Sequence, residues 1–352
     1  MNRLSTNTEL TEVTGHMRDD YEGIRSPIAV PISNSPAAEI SRGSSGSAWG
    51  VFLSSLKKLV TEKYYWSPVR FPRIVRTAAR NISTQIRVLR LLSRPAYKKL
   101  MKVNPRFSLK YLGLDYLARG MTVKQQAECF IHHYRRLSDL LPEDVLTQVL
   151  LDDLLLDDIS DGDDRFAVKM ALSRPWDDEG ELSLNFEVNG RVVFILSFTI
   201  IPGKIVMSDA EEVILVSRLQ GVKGSYDEIQ RATKAMCNVA PPALLFSVLC
   251  GIAEAFGVKA MAGITGKMKP EFHFYEGEAA HIEQAYDGFF TEVGATKGSA
   301  GFYLAPMPPQ EKPMASIKQG HKIRTRKKRN FKRQTTERIY LAVCNVMRPR
   351  KD

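Results

Sequence analysis

Apolar residues along this chain change their period twice. Up to about residue 47 they show none: Ser, Thr, Asn, Pro and Gly dominate and finish in Ser-Arg-Gly-Ser-Ser-Gly-Ser, which predicts a disordered leader over 1–47. From Trp49 the apolar positions Val51, Phe52, Leu56, Leu59 and Val60 recur at helical spacing with Lys57 and Lys58 between them, and the aromatic cluster Tyr64, Tyr65, Trp66 follows. Ile82, Ile86, Leu89 and Leu92 extend a helical stripe flanked by Arg80, Arg87, Arg90 and Arg94. Thr122 with Gln125 three residues later predicts a capped helix start, each side chain meeting a backbone N–H that the first turn leaves orphaned. That helix is expected to reach about Ser138, and Pro142 to open another through Leu151 to Leu156.

After Asp164 the pattern becomes that of strands. Residues 166–172, 181–188 and 191–201 read as a meander, with Asn189-Gly190 as a tight hairpin turn. A strand at 213–219, a glycine-containing loop at 220–224, helices at 225–236 and 243–256, a strand at 259–264, a helix at 278–293 and a strand at 301–304 complete the series. A meander followed by alternating helix and strand predicts a mixed α+β fold, a mixed sheet with helices packed on it. The division expected is a leader at 1–47, a basic amphipathic helical region at 48–160, the mixed domain at 161–310 and a basic segment at 311–352.

Charge sharpens this division. The net +11 is the sum of +14 over residues 57–110, +12 over 312–352, −13 over 111–311 and −2 over 1–56. Two strongly basic arms flank an acidic middle, and phosphates of lipid, nucleotide or nucleic acid are the partners that relieve such self-repulsion. No positively charged start runs into an apolar stretch, so a cytoplasmic location is expected. The longest apolar run, 240–258, opens on Pro241-Pro242, contains Glu254 and falls short of the roughly 20 residues that span a bilayer, so it is expected as a core helix.

Features suggestive of metal binding do not hold together. His132 and His133 are adjacent on a helix and point about 100° apart, which fits one surface and one partly buried histidine. The acidic run at 157–164 places Gly162 sixth, as in a calcium loop, but has Ile159 third and Val168 twelfth where ligands are needed, and is expected to be a solvated loop. His273 and His281 lack a ligating spacing. Cys129, Cys237, Cys250 and Cys344 show no paired spacing and read as free thiols, so no metal site is expected. The loop Arg218, Gly221, Val222, Lys223, Gly224 is a stronger candidate: between a strand and a helix, free N–H groups and the helix dipole can hold a phosphate, and Lys223 would add charge. A plain turn using glycine dihedrals accounts for the same residues.

The strings Val216-Ser-Arg-Leu-Gln-Gly-Val-Lys-Gly, Ala240-Pro-Pro-Ala-Leu-Leu, Tyr286-Asp-Gly-Phe-Phe-Thr-Glu-Val-Gly, and Lys312-Pro with Ile317-Lys, His321 and Arg324-Thr-Arg-Lys-Lys-Arg resemble the VirK/YbjX family of bacterial proteins, over about 94–333. That resemblance implies an accessory role in Gram-negative envelope integrity and virulence, without an established enzymatic activity. A fainter one is to the GNAT acyltransferases, through strand, glycine loop, helix and strand. Their loop pattern is matched at Arg218 and Gly221, with Lys223 in a small-residue place, and implies coenzyme A or an acyl-CoA as ligand. The position of their tyrosine acid falls on Phe290, which has no proton to give, so Tyr286 one turn earlier is the nearest substitute, and its plainer reading is a packing aromatic. Glu187, Glu211 and Glu212, in or beside strands, are the candidate bases.

At the C-terminus Lys318, His321, Arg324, Arg326, Lys327, Lys328 and Arg329 form a candidate anion site, too dense for a packed face. The expected function is peripheral association with an anionic membrane surface, at the inner membrane, in envelope maintenance, with transfer from an acyl-CoA or acyl carrier as its enzymatic version. The alternative is a non-catalytic adaptor or nucleic-acid-binding protein using the same arms.

Overall fold

A computed structural model describes residues 70–113, 115–173, 179–269 and 279–349. The leader, the stretch from Trp49, the cluster Tyr64, Tyr65, Trp66 and His273 lie outside them. Helices α1 (Arg70–Arg80), α2 (Ile82–Leu92) and α3 (Pro95–Val103) lead through a 3-10 segment (Pro105–Leu112) to α4 (Val123–Leu140) and α5 (Glu143–Leu151). Thr122 and Gln125 form the expected capping box at the start of α4: the Gln125 N–H donates to Thr122 Oγ1, and the Thr122 N–H to Gln125 Oε1 at 2.9 Å.

Strands β1 (Leu154–Asp161), β2 (Asp164–Leu172), β3 (Leu182–Val188), β4 (Arg191–Pro202) and β5 (Glu212–Gly221) form the antiparallel meander. Then come α6 (Tyr226–Ala235), α7 (Pro241–Phe256), β6 (Ala260–Gly263), α8 (Ala279–Glu292), β7 (Thr296–Lys297), β8 (Tyr303–Pro306) and α9 (Lys322–Val346). The sheet order is β1-β2-β3-β4-β5-β6-β8-β7, with β6 parallel to β5, so the fold is a mixed α+β one as expected. From β5 to β8 the elements follow the order on which the GNAT resemblance rested.

Two expectations are corrected. The helix opened by Pro142 stops at Leu151; Leu154 and Leu156 instead alternate with exposed Leu155, and that alternation starts β1. The acidic run is β1 and its turn into β2, stabilised by Asp158–Arg165 and Asp157–Arg338 ion pairs. The basic C-terminal segment contributes a 25-residue helix whose second half packs: Thr335, Ile339 and Val343 are buried, while the dense cations precede them. A Cβ on Gly251 of α7 would lie 2.5 Å from the Thr336 carbonyl oxygen, so α7 and α9 cross at backbone contact.

Register fixes the layers. Leu182, Phe198, Val216 and Gly263 are directly paired across β3, β4, β5 and β6, so they share one face. On that face Phe290 of α8 occupies the space a Gly263 side chain would fill, and Phe289 meets Phe246 of α7 edge-on. Glu181, next to Leu182, points the other way and accepts the Tyr134 hydroxyl of α4. Helices α7, α8 and α9 therefore cover one face, and α4, with α1–α3 around it, the other; Tyr97 of α3 donates to the Tyr134 carbonyl.

Candidate functional site

Strands β5 and β6 pair over only three residues, Ile214–Met261, Leu215–Ala262 and Val216–Gly263, and then part. Ser217 is an extra residue in β5, a bulge between the pairs Phe198–Val216 and Ser197–Arg218. Beyond it β5 continues to Gly221, paired with β4 alone. Where the strands part, the Leu219 N–H donates to the Tyr286 hydroxyl at 3.1 Å, and Lys269 Nζ stands 5.1 Å over the Tyr286 ring. Lys269 is paired with Glu179 at 2.6 Å, and Arg218 Nε approaches the same carboxylate at 3.4 Å. Ser217 Oγ donates to the Glu179 carbonyl.

A second ion pair lies deeper. Lys110 Nζ is 3.3 Å from Glu181 Oε1 and donates to the Gly180 carbonyl at 2.7 Å, with side-chain exposures of 2% and 0% for the pair. Tyr134 donates to the other Glu181 oxygen, and the Tyr116 hydroxyl lies beside the same carboxylate. Burial raises both phenols well above the ordinary range, and the Glu181 charge adds to it. His133 is fully buried next to them: the Ile200 N–H donates to its Nδ1 at 3.1 Å, and burial, with Lys110 nearby, holds it neutral well below the ordinary histidine range. Its proton is therefore on Nε2, which has no partner among the described residues. His133 is more deeply buried than the sequence suggested; His132, half-exposed, binds Glu212.

The sequence candidates divide. Arg218 and Tyr286 meet through Leu219, Lys269 and Glu179. Gly221 is a strand residue paired with Phe194, the Val222 N–H donates to the Val193 carbonyl and the Ser225 N–H to the Val222 carbonyl. The expectation that the N–H groups of this loop stand free is corrected at Val222, because β4 runs on far enough to pair with it. Gly224 has φ +75°, a turn conformation suited to glycine. Glu212 is at the other end of β5, about 30 Å from Gly221 at the rise of a strand. Arg136 holds it bidentately at 2.8 and 2.7 Å; burial alone would raise its carboxyl, but hydrogen bonds from His132 and Arg136 bring it below the ordinary range. Glu211 is exposed, and Glu187 is buried against Lys169 at 2.8 Å. Neither joins Tyr286.

Both basic arms are partly in view. Between Arg70 and Lys110 the chain has 12 basic residues and no acidic one. Arg73, Arg76, Arg80, Arg87, Arg90, Arg94, Lys99 and Lys102 are exposed, and among the described residues only Arg94 has an acidic neighbour, Asp139 at 4.0 Å. In the C-terminal arm Lys318, His321, Arg324, Arg326 and Lys327 are exposed; Lys328 and Arg329 are half-buried, Arg329 paired with Glu311. Burial and the neighbouring Arg324 lower the Lys328 ammonium, the mark of like charges one helical turn apart. Among the described residues no helix is long and apolar enough to cross a membrane, and no cluster of His, Cys, Asp and Glu is arranged to hold a metal ion.

Sequence reasoning missed Glu179, Glu181, Lys110 and Lys269. The signal available was a charge set in an apolar run, as Lys110 is among Phe107, Leu109, Tyr111 and Leu112. Only the partner across the fold says whether such a charge is buried.

No solved structure matches this chain. The uncharacterized protein YbjX of Escherichia coli (strain K12) is 23% identical to it over 233 residues, 63% of this chain and 68% of that protein. The model of a protein family of unknown function, DUF535, matches residues 63–339, from before α1 into α9 and including β1 to β8, and the chain belongs to that family.

Proposed function

We propose that this protein binds peripherally to anionic lipid surfaces through its basic arms, in the envelope role that the VirK/YbjX resemblance implies. The observation that carries this reading is the run of exposed cations from Arg73 to Lys102, which only Arg94 interrupts with an acidic neighbour among the described residues. Each Lys or Arg held near such a surface contributes about 1 kcal/mol, so about six engaged charges offset a substantial loss of translational freedom. Lipid is favoured over nucleic acid by what lies between the cations: Val75, Ile82 and Val103 are exposed aliphatic side chains, suited to the headgroup boundary and not to stacking on bases. The test is flotation with phosphatidylcholine vesicles with and without phosphatidylglycerol. Binding is expected only to the anionic vesicles; equal association with both, or tighter binding to duplex DNA at the same salt, would overturn the reading and favour the nucleic-acid alternative.

A second reading, transfer from an acyl-CoA or acyl-carrier thioester, is favoured by the parting of β5 and β6 after Val216. Arg218, Gly221, Val222, Lys223 and Gly224 would face the phosphates, though Val222 has no N–H to offer. Tyr286, whose phenol is raised by burial, stays protonated at neutral pH. Calorimetric titration with coenzyme A decides this: absence of heat at millimolar ligand makes 220–224 a structural turn.

A further inference from the structure

The dense cations of the two basic arms among the described residues, Arg76 to Arg90 and Arg324 to Arg333, sit on opposite faces of the sheet, while the chain after α9 comes back to the end of α4, where the Arg348 N–H donates to the Leu140 carbonyl and its Nε to the Leu141 carbonyl, each at 3.0 Å. Helices α1–α3 pack around α4, whose Tyr134 meets Glu181 on one face, while α9 packs on α7, which shares the opposite face with α8. A sheet with one helix layer on each side is about 30 Å thick, since each layer adds about 10 Å. That exceeds the Debye length, about 8 Å at physiological salt, so the two dense clusters do not sense each other. One flat surface can engage one arm fully and leaves the other facing away.

Each face has what a separate contact needs. On the α4 side, Arg76, Arg80, Arg87 and Arg90 are exposed beside Val75 and Ile82. On the α7 side, Arg324, Arg326, Lys327 and Arg333 are exposed at the start of a 25-residue helix, beside Ile323, the apolar side chain of α9 most open to water at 74%. The α9 cluster cannot fold inward to quench itself, because Thr335, Ile339 and Val343 hold the helix to α7 and the Gly251 crossing fixes its direction. Rigid attachment on both sides of one sheet keeps the two surfaces apart.

From this geometry we propose that the protein is bivalent and bridges two anionic bilayers, one on α1–α3 and one on the first half of α9. The proposal rests on the lipid-binding reading above but makes a separate claim. The probe is a mixture of two differently labelled populations of phosphatidylcholine–phosphatidylglycerol vesicles, with bound protein measured by flotation and clustering by light scattering and energy transfer between the labels. The full-length protein is expected to bind and to cluster them. A variant with Arg324, Arg326, Lys327 and Arg333 changed to Gln is expected to float with the vesicles and not cluster them, and one with Arg76, Arg80, Arg87 and Arg90 changed to Gln likewise. These positions are exposed, so circular dichroism should match the parent. Binding without clustering by the full-length protein, or clustering retained by the α9 variant, would overturn bivalency and leave the lipid-binding reading standing. Failure of the full-length protein to bind at all would instead remove that reading.

Discussion

Lys110 and Glu181 are cut off from water and face each other at 3.3 Å, and further polar groups complete the contacts, Gly180 for the lysine and Tyr134 for the carboxylate. Such a pair adds little net stability over an apolar replacement, but it fixes which residues must meet, since breaking it leaves a buried charge alone. His133 adds a dependence on pH. Its folded pKa lies below the unfolded value near 6.5, so above that pH both states are neutral and it contributes nothing. As pH falls below 6.5 the unfolded chain takes up a proton that the folded one does not, and stability drops by up to about 1.4 kcal/mol per pH unit until the folded pKa is reached. In His133→Asn the amide oxygen stands in the place of Nδ1 and keeps an acceptor for the Ile200 N–H. Urea unfolding at pH 7.5 and 5.5 is expected to show a smaller loss on acidification in that variant than in the parent, and equal losses would mean that His133 is not held neutral.

Among the elements, α9 depends on one glycine. A side chain at position 251 would meet the Thr336 carbonyl at 2.5 Å and Ile339 Cβ and Tyr340 N at 3.0 Å. Two of these three atoms belong to backbone, which cannot step aside as a flexible side chain does. Gly251→Ala is expected to push α9 off α7 at a cost of about 1–3 kcal/mol, the usual range for overpacking, even though alanine improves the helix propensity of α7. Limited proteolysis should then cut within 322–346 first. Unchanged digestion and an unchanged unfolding midpoint would show that the crossing has slack.

For the whole molecule, charge segregation has the largest consequence. An acidic middle between arms of +14 and +12 gives long-range attraction to anionic surfaces that weakens steeply with salt. Flotation with anionic vesicles is therefore expected to fall several-fold between low and high salt, whereas contact through Val75, Ile82 and Ile323 alone would be indifferent to it. A salt-independent bound fraction would assign the binding to apolar insertion. On the lipid-binding proposal the same attraction would draw either arm to a surface, and local charge density with the aliphatic side chains beside it would set which one docks.

Legibility in the sequence followed the range of the interactions. The capped start of α4, the Asn189-Gly190 hairpin, the core helix α7 and the short apolar runs of β2 to β5 all rest on neighbours a few residues apart, so pattern alone determined them, and with them the mixed fold and the two basic arms. The strings that carry the family resemblance needed no coordinates to suggest it. What only the tertiary structure decided was long-range. Lys110 finds Glu181 71 residues later, and Lys269 finds Glu179 across the parting of β5 and β6. Acidic residues 157 and 158 form a strand because β2 and Arg338 are there to pair with them. The second half of α9 is a packed helix because Gly251 lets it approach. Charge and periodicity are properties of a segment, but burial and pairing belong to two segments at once, and the packing of helices on both faces of the sheet is what parts the dense cations of α1–α3 from those of α9.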